Sequence, residues 1–225
     1  MSRPFNREKS KTRTLVLHSA TKLFIENGYT NTRIKDIATD AGVGYNEIFR
    51  MFIDKDNLLS HLVELVIEHQ FDISKKYLKD LSNDNLLLYI FECVLQLHIC
   101  ELNENIREMY AVSYSLPNTS HKIYDYITKK LEGVFQSYLP DYETKDFYEL
   151  EIATAGIMRG FIINPCNMYF TMRRKINRFI KTTLKIYEVP KEKIDEIIKV
   201  VESFDMNSYA EETINTLYEY IINRT

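Results

Sequence analysis

Chain breakers are scarce here: six glycines and five prolines are spread over 225 residues. A turn-rich β fold needs many more, so the backbone is expected to run in long helices. Apolar residues recur at three- and four-residue spacing, the helical period. Over residues 14–27, Leu15, Ala20, Leu23 and Phe24 mark an inward face that Gly28 stops. Thr32 is expected to cap a second helix with Ile34, Ile37, Ala38 and Ala41 turned inward. Gly42-Val43-Gly44 breaks that helix, and a short third one follows, with Ile48, Phe49 and Phe52 joining Val43 in the core. Asp54 caps a fourth helix that opens a stripe at Leu58, Leu59, Leu62 and Leu65 and runs to about residue 80. Further helices are expected over residues 84–102, 105–114, 120–138, 145–163, 169–187, 191–202 and 208–222. Breaks fall at Pro117, Pro140, Pro165 and Pro190. The fold class is therefore all-α. Residues 1–60 form a small N-terminal domain and residues 61–225 a larger one, joined through the long fourth helix.

Charge divides along the same line. Residues 1–60 hold ten Lys and Arg against seven Asp and Glu, whereas residues 61–225 hold nineteen against twenty-five. Five of those ten bases (Arg3, Arg7, Lys9, Lys11, Arg13) lie in the first thirteen residues. A basic head on an acidic body turns the head toward a polyanion such as DNA.

Other classes are disfavoured. No run approaches eighteen uncharged apolar residues, so no membrane span is expected. The basic N-terminus is followed by no apolar stretch of a secretory signal, which points to the cytoplasm. Cys93, Cys100 and Cys166 have neither metal-ligand nor disulfide-framework spacing and read as reduced core residues. There is no glycine-rich phosphate loop and no HExxH, and the five histidines are scattered at 18, 61, 69, 98 and 121. No catalytic set, metal or cofactor is expected.

Two short helices meeting at a tight glycine turn are the physical signature of a helix-turn-helix, whose second helix can enter a major groove. The run LVLHSATKLFIENGYTNTRIKDIATDAGVGYNEIFRMFIDKDNLLSHLV resembles the DNA-binding domain of the TetR-type transcriptional regulators. Three features carry the resemblance: the A…LF…GY helix end, T…IA…AGV across the turn, and F…F…K…LL into helix four. It implies that helix three reads base edges through Tyr45, Asn46, Glu47 and Arg50. Asn46 suits a bidentate contact to adenine, Arg50 suits guanine or a phosphate, and Tyr45 suits a sugar or a thymine methyl. The same resemblance places Thr32 and Arg33 against the backbone and Lys55 near a phosphate, with the basic arm adding salt-sensitive attraction. Three positions depart from the family pattern. Gly44 stands where Ser is common, Phe49 where Tyr is common, and Glu47 where a small or hydroxyl residue is usual. The first two remove hydroxyls from the contact set, and Glu47 repels phosphate although it can accept from cytosine N4.

Beyond residue 63 the resemblance is architectural. It implies a homodimer on an inverted-repeat operator in double-stranded DNA, with recognition helices about 34 Å apart, and a helical body enclosing a pocket for a small effector. The dimer interface is open between residues 169–187 paired with the closing helix, and residues 145–163 paired with the helix after it; Gly156 and Gly160 favour the latter. For the pocket, Tyr89, Cys93, Gln96 and Cys100 share one face of the fifth helix, and Tyr110 and Phe161 are set beside them. Tyr114, Met158, Met168, Phe170 and Met172 surround this stripe, and His98 and Glu101 are candidates for polarity. Such a lining suits an apolar or aromatic effector; a cationic one is the alternative if Glu92, Glu101 or Glu151 turns inward. The function expected is a ligand-released repressor. The alternative is a helical, dimeric protein-interaction or architectural factor with weak DNA binding.

Overall fold

A computed structural model describes the backbone of residues 4–224 and the side chains of residues 11–224 except Ser82. The described residues form eleven α-helices and no strand, the expected all-α class. Arg3 of the basic arm lies outside the described residues, as do the side chains of Arg7 and Lys9.

The head is built from α1 (Pro4–Asn27), α2 (Ile34–Ala41) and α3 (Tyr45–Met51). Helix α1 begins ten residues before the expected start, because Pro4 is tolerated at a first helical position and nothing up to Thr14 breaks the helix. The arm is thus helical. Val16, Leu17, Ala20 and Phe24 form its buried face, whereas Leu15, expected inside, is 44% exposed. Gly28 ends α1 at φ +83°, and its N–H closes on the Phe24 carbonyl. Thr32 does not cap α2 as expected: the N-cap is Arg33, whose N–H donates to the Asp36 carboxylate at 3.0 Å. Gly42, at φ +66°, stops α2 in the left-handed conformation, and Val43 N–H reaches back to the Ala38 carbonyl. Ile37, Ala38, Ile48 and Phe52 join α1 in the head's core, and Val43 packs half-buried against it.

Next, α4 (Lys55–Leu78) starts where the Asp54 carboxylate accepts from Asn57 N–H at 2.7 Å, and ends in a 3-10 turn over Lys79–Asn83. In α5 (Asn85–Leu102) and α6 (Glu104–Ser113), Asp84 and Asn103 act as N-caps for the N–H groups of Leu87 and Ile106. Pro117, expected as a break, is instead the first residue of α7 (Pro117–Phe135), where its missing N–H costs nothing. The chain closes with α8 (Thr144–Ile162), α9 (Met172–Ile186), α10 (Lys191–Val201) and α11 (Met206–Arg224).

Helix α5 is the axis of the body, packed against α4 and against each of α6 to α11. By length and composition it could cross a membrane, but 78% of it is buried inside the fold, as suits a core helix. One buried ion pair pins the α8–α9 connection to α5. The fully buried Lys175 ammonium meets the Glu101 carboxylate, which also accepts from Cys166 N–H at 3.2 Å. Packing of α1 against α4, α6 and α11 seats the head on the body.

Candidate DNA interface and effector cavity

Of the seven residues of α3, Ile48 alone is buried and Met51 is half-buried; Tyr45, Asn46, Glu47, Phe49 and Arg50 are exposed. A short helix with one apolar anchor turns its remaining faces to solvent. Phe49, expected in the core, is 40% exposed and packs on Tyr45 one turn earlier, ring centroids 4.9 Å apart. Gly44 is the N-cap at φ −67°, ψ 135°, and with no side chain it leaves the first turn without a side-chain cap. Arg33, Lys35 and Arg50 are exposed and make no ion pair with any described residue. Asp40, by contrast, is paired to Lys22 at 2.7 Å, and that hydrogen bond holds its carboxyl below the ordinary range.

Two residues expected at the DNA backbone, Thr32 and Lys55, and Arg13 of the basic arm are engaged inside the protein. The Thr32 side chain is buried, its hydroxyl donating to the carbonyls of Leu23 and Gly28 at 3.1 and 2.8 Å. Lys55 donates to the carbonyls of Tyr29 and Thr32 at 2.9 and 3.1 Å, its nitrogen 4.1 Å from the Tyr29 ring centroid, and burial lowers its pKa. Both serve the α1–α2 turn, whose carbonyls have no helical partner and need donors. Arg13 donates to His61 Nδ1 at 3.0 Å and lies over the Phe52 ring.

The grip of the body on the head comes from a helix the sequence did not single out. On α6, Asn105 Nδ2 donates to the carbonyls of Ile25 and Glu26 at 3.1 and 2.8 Å, capping the end of α1. Glu108 accepts from the N–H of Thr30 at 3.2 Å and from its hydroxyl.

The adjoining face of α6 lines a cavity. Leu59, Leu62, Val63, Val66 and Ile67 of α4 form one wall, and Gln96, Met109, Tyr110, Ser113, Tyr114 and Ile123 complete it. Its volume is about 30 Å³, room for little more than a water. A second cavity of about 20 Å³ lies among Tyr89, Glu92, Cys93, Tyr114, Ile127, Glu151, Thr154, Ala155, Met158 and Phe179. Tyr114 is common to both, and its hydroxyl donates to Gln96 Oε1 at 2.8 Å. Tyr110 OH accepts from Gln70 Nε2 at 2.7 Å, while Gln70 Oε1 has no described partner.

The expected pocket residues therefore divide. Gln96 and Tyr110 line the first cavity, Tyr89 and Cys93 the second. Cys100 is fully buried but reaches neither, because it lies one turn past Gln96, where Arg107 closes on its carbonyl. Phe161 lines a surface groove between α8 and α9 with Gly160, Pro165 and Phe170. His98 is bonded to Asn207 at 2.8 Å beside another surface groove. Glu101 turns to Lys175, leaving Glu92 and Glu151 as the carboxylates of the second cavity. Burial pushes Glu92 up to about 8 against the pull of Lys130. Burial likewise pushes Glu151 up to about 8, with the charge of Glu92 adding to the rise and a Thr154 hydrogen bond opposing it.

Comparison with known proteins places the head. Residues 16–62 match the family model described as bacterial regulatory proteins, tetR family. The chain is 25% identical over 212 residues to the HTH-type transcriptional regulator AcrR of Shigella flexneri, covering 83% of this chain and 94% of that protein. It is 24% identical to the HTH-type transcriptional regulator HbdR of Aromatoleum sp. (strain CIB), covering 91% and 78%. A gamma-butyrolactone receptor (ArpA-like protein) of known crystal structure is 14% identical, with 91% of this chain and 98% of that one aligned at a TM-score of 0.46.

Proposed function

We propose that this chain, whose residues 16–62 match the tetR family of bacterial regulatory proteins, is a transcriptional regulator: a homodimeric repressor released from an inverted-repeat operator by a small effector. Residues 1–60 bind DNA, residues 61–225 bind the effector and dimerise, and the protein acts in the cytoplasm. One observation supports this most: α4 and α6 both line the first cavity and both hold the head. A cavity that admits little more than a water opens only if its walls move. Moving α4 or α6 carries α3, so a ligand that selects the opened form alters the fit to DNA.

On the operator, Asn46 and Arg50 read base edges, with Tyr45, Glu47 and Phe49 beside them. Arg33 reaches backbone phosphates, Gly44 lets the helix start approach closely, and Lys55 adds charge from behind the turn. For the dimer, α8 and the segment after it are favoured. Ile152 and Ile163 are exposed there, and Met168 and Tyr169 are 81% and 80% exposed. Gly156 and Gly160 have no neighbour within 4 Å of a built Cβ. The closing helix α11 is instead packed on α1, α4 and α5.

A second reading, an architectural dimer with weak sequence preference, draws on the uncapped α3 and the inward Thr32 and Lys55. A genome-wide binding selection with the purified protein separates the two. An inverted repeat recovered at nanomolar protein supports the repressor, and diffuse recovery that vanishes at moderate salt supports the second reading.

A further inference from the structure

We propose that the cavity among α5, α6, α7, α8 and α9 takes an organic cation, an amine or quaternary ammonium on an aromatic or apolar body, with its charge held by Glu92 and Glu151. The proposal deepens the effector reading and rests on it only for the consequence at the operator. Both side chains are 3% exposed and line the cavity, and neither forms an ion pair with a described residue. Glu151 accepts from the Thr154 hydroxyl at 3.2 Å, and that hydroxyl also contacts Tyr187 OH at 3.1 Å. A carboxyl buried without a cation is costly and is rarely kept for packing alone.

Glu101 provides an internal contrast. The partly exposed Glu101 is given an ion-pair partner, Lys175. Glu92 and Glu151 are buried more deeply, yet they receive only hydrogen bonds, from Cys93 and Thr154, and no ion pair. Lys130, the cation acting on Glu92, lies over the rings of Phe71 and Tyr126 at 4.5 and 4.8 Å and pairs with neither carboxyl. The remaining lining suits a cation with a greasy body: the rings of Tyr89, Tyr114 and Phe179 and the thioether of Met158. Tyr114 lines both this space and the first cavity and is held by Gln96; each cavity now has room for little more than a water, so the ligand enters by swinging Tyr114 aside and moving the helices around it.

The titratable groups around the two carboxyls are Tyr89 and Cys93 on α5, Tyr110 on α6 and Tyr114 at its C-cap, Tyr126 and Lys130 on α7, and Tyr187 at the C-cap of α9. On α4, Glu68, Asp72 and Lys75 act on Lys130. Because burial keeps both carboxyls protonated at neutral pH, a cation binds by displacing a proton to solvent, leaving carboxylate against ammonium.

The test titrates the full-length protein with phenylbutyl-trimethylammonium and, separately, with phenylbutanol, by calorimetry in buffers of different ionisation enthalpy. The ammonium is expected to tighten by about tenfold per pH unit between about pH 6 and pH 8, releasing about one proton, while the alcohol stays flat. In E92Q/E151Q the ammonium loses its pH dependence and falls to the affinity of the alcohol. Glutamine matches the protonated carboxyl in shape and charge, so the double variant is expected to fold; the single variants E92Q and E151Q read the same loss one carboxyl at a time. Equal, pH-independent affinities for both probes, no binding of the ammonium, or ammonium binding unchanged in the variants each overturn the proposal. Operator retention is scored separately. Release by the alcohol alone overturns the cation and leaves the repressor, whereas a proton-linked ammonium that never releases DNA overturns effector release and leaves the site.

Discussion

Glu108 on α6 accepts from both the N–H and the hydroxyl of Thr30, in the turn that follows α1. Three residues earlier, Asn105 holds the last carbonyls of α1. One and two residues later, Met109 and Tyr110 line the first cavity. A ten-residue helix thus has the head on one face and the cavity on the adjoining one.

The grip is testable at both ends. Glu108→Ala is expected to retain operator and effector binding while lessening the effector-induced change in operator affinity, measured by anisotropy with and without effector; an unchanged response would assign transmission to α4 alone. Gly28→Ala is expected to destabilise by about 1–2 kcal/mol from its left-handed backbone alone. At φ +83° the new methyl also meets Glu108 Oε2 at 2.5 Å, so the melting temperature falls and the coupling weakens together.

At the recognition helix, Gly44→Ser is expected to help. The backbone at Gly44 is ordinary for any residue, and an added Cβ meets only Glu47 Cβ, at 4.0 Å. A serine there caps α3 for a gain of roughly a few tenths of a kcal/mol and places a hydroxyl toward phosphate. Operator titration should show tighter binding with unchanged sequence preference. Asn46→Ala and Arg50→Ala should each cost about 1–3 kcal/mol and relax preference at one base pair. Lys35→Ala should weaken all sequences alike and lower the salt slope.

Stability should fall as pH rises above the ordinary carboxylate range. The folded pKa values of Glu92 and Glu151 are raised to about 8 from 4.5, so between those limits the unfolded chain loses protons that the folded one keeps. Each carboxyl then removes at most about 1.4 kcal/mol of stability per pH unit. Urea midpoints should decline from about pH 5 to pH 8 and then level, and E92Q/E151Q should flatten the decline. A midpoint independent of pH in the parent protein would remove both groups from the interior.

Acid should act through a different pair. Burial disfavours the charge on Glu101, yet the Lys175 hydrogen bond and Cys166 N–H outweigh it and hold its pKa below the ordinary value. The stability this pair contributes is present above about pH 4.5 and is lost as pH falls through the lowered folded pKa. Glu101→Gln leaves Lys175 buried without a counter-charge and is expected to cost about 3–5 kcal/mol. The double variant E101L/K175M should recover most of that, as read by thermal melting.

The architecture was legible wherever local chemistry decided it. Asp54 caps α4 as expected, Gly42 takes the left-handed turn, and α3 stands out from the head because Ile48 anchors it. Spacing is silent where partners are distant in sequence. The carbonyls that Thr32 and Lys55 bond become their neighbours only once α1 and α2 fold back. Asn105 and Glu108 bind residues about eighty positions away, and no spacing rule reveals such a pair. Of the cavity stripe, Tyr89, Cys93 and Gln96 fell on cavity walls, but Cys100 did not, since helical phase specifies a face and not a height along the axis.

The length of α4 sets the precision the regulator needs. A straight 24-residue helix is about 36 Å long, so a tilt of about 5° about one end displaces the other by about 3 Å. In a two-fold assembly the displacement occurs twice, against a groove-to-groove repeat of about 34 Å. A small tilt of α4 therefore shifts each head by about a tenth of that repeat.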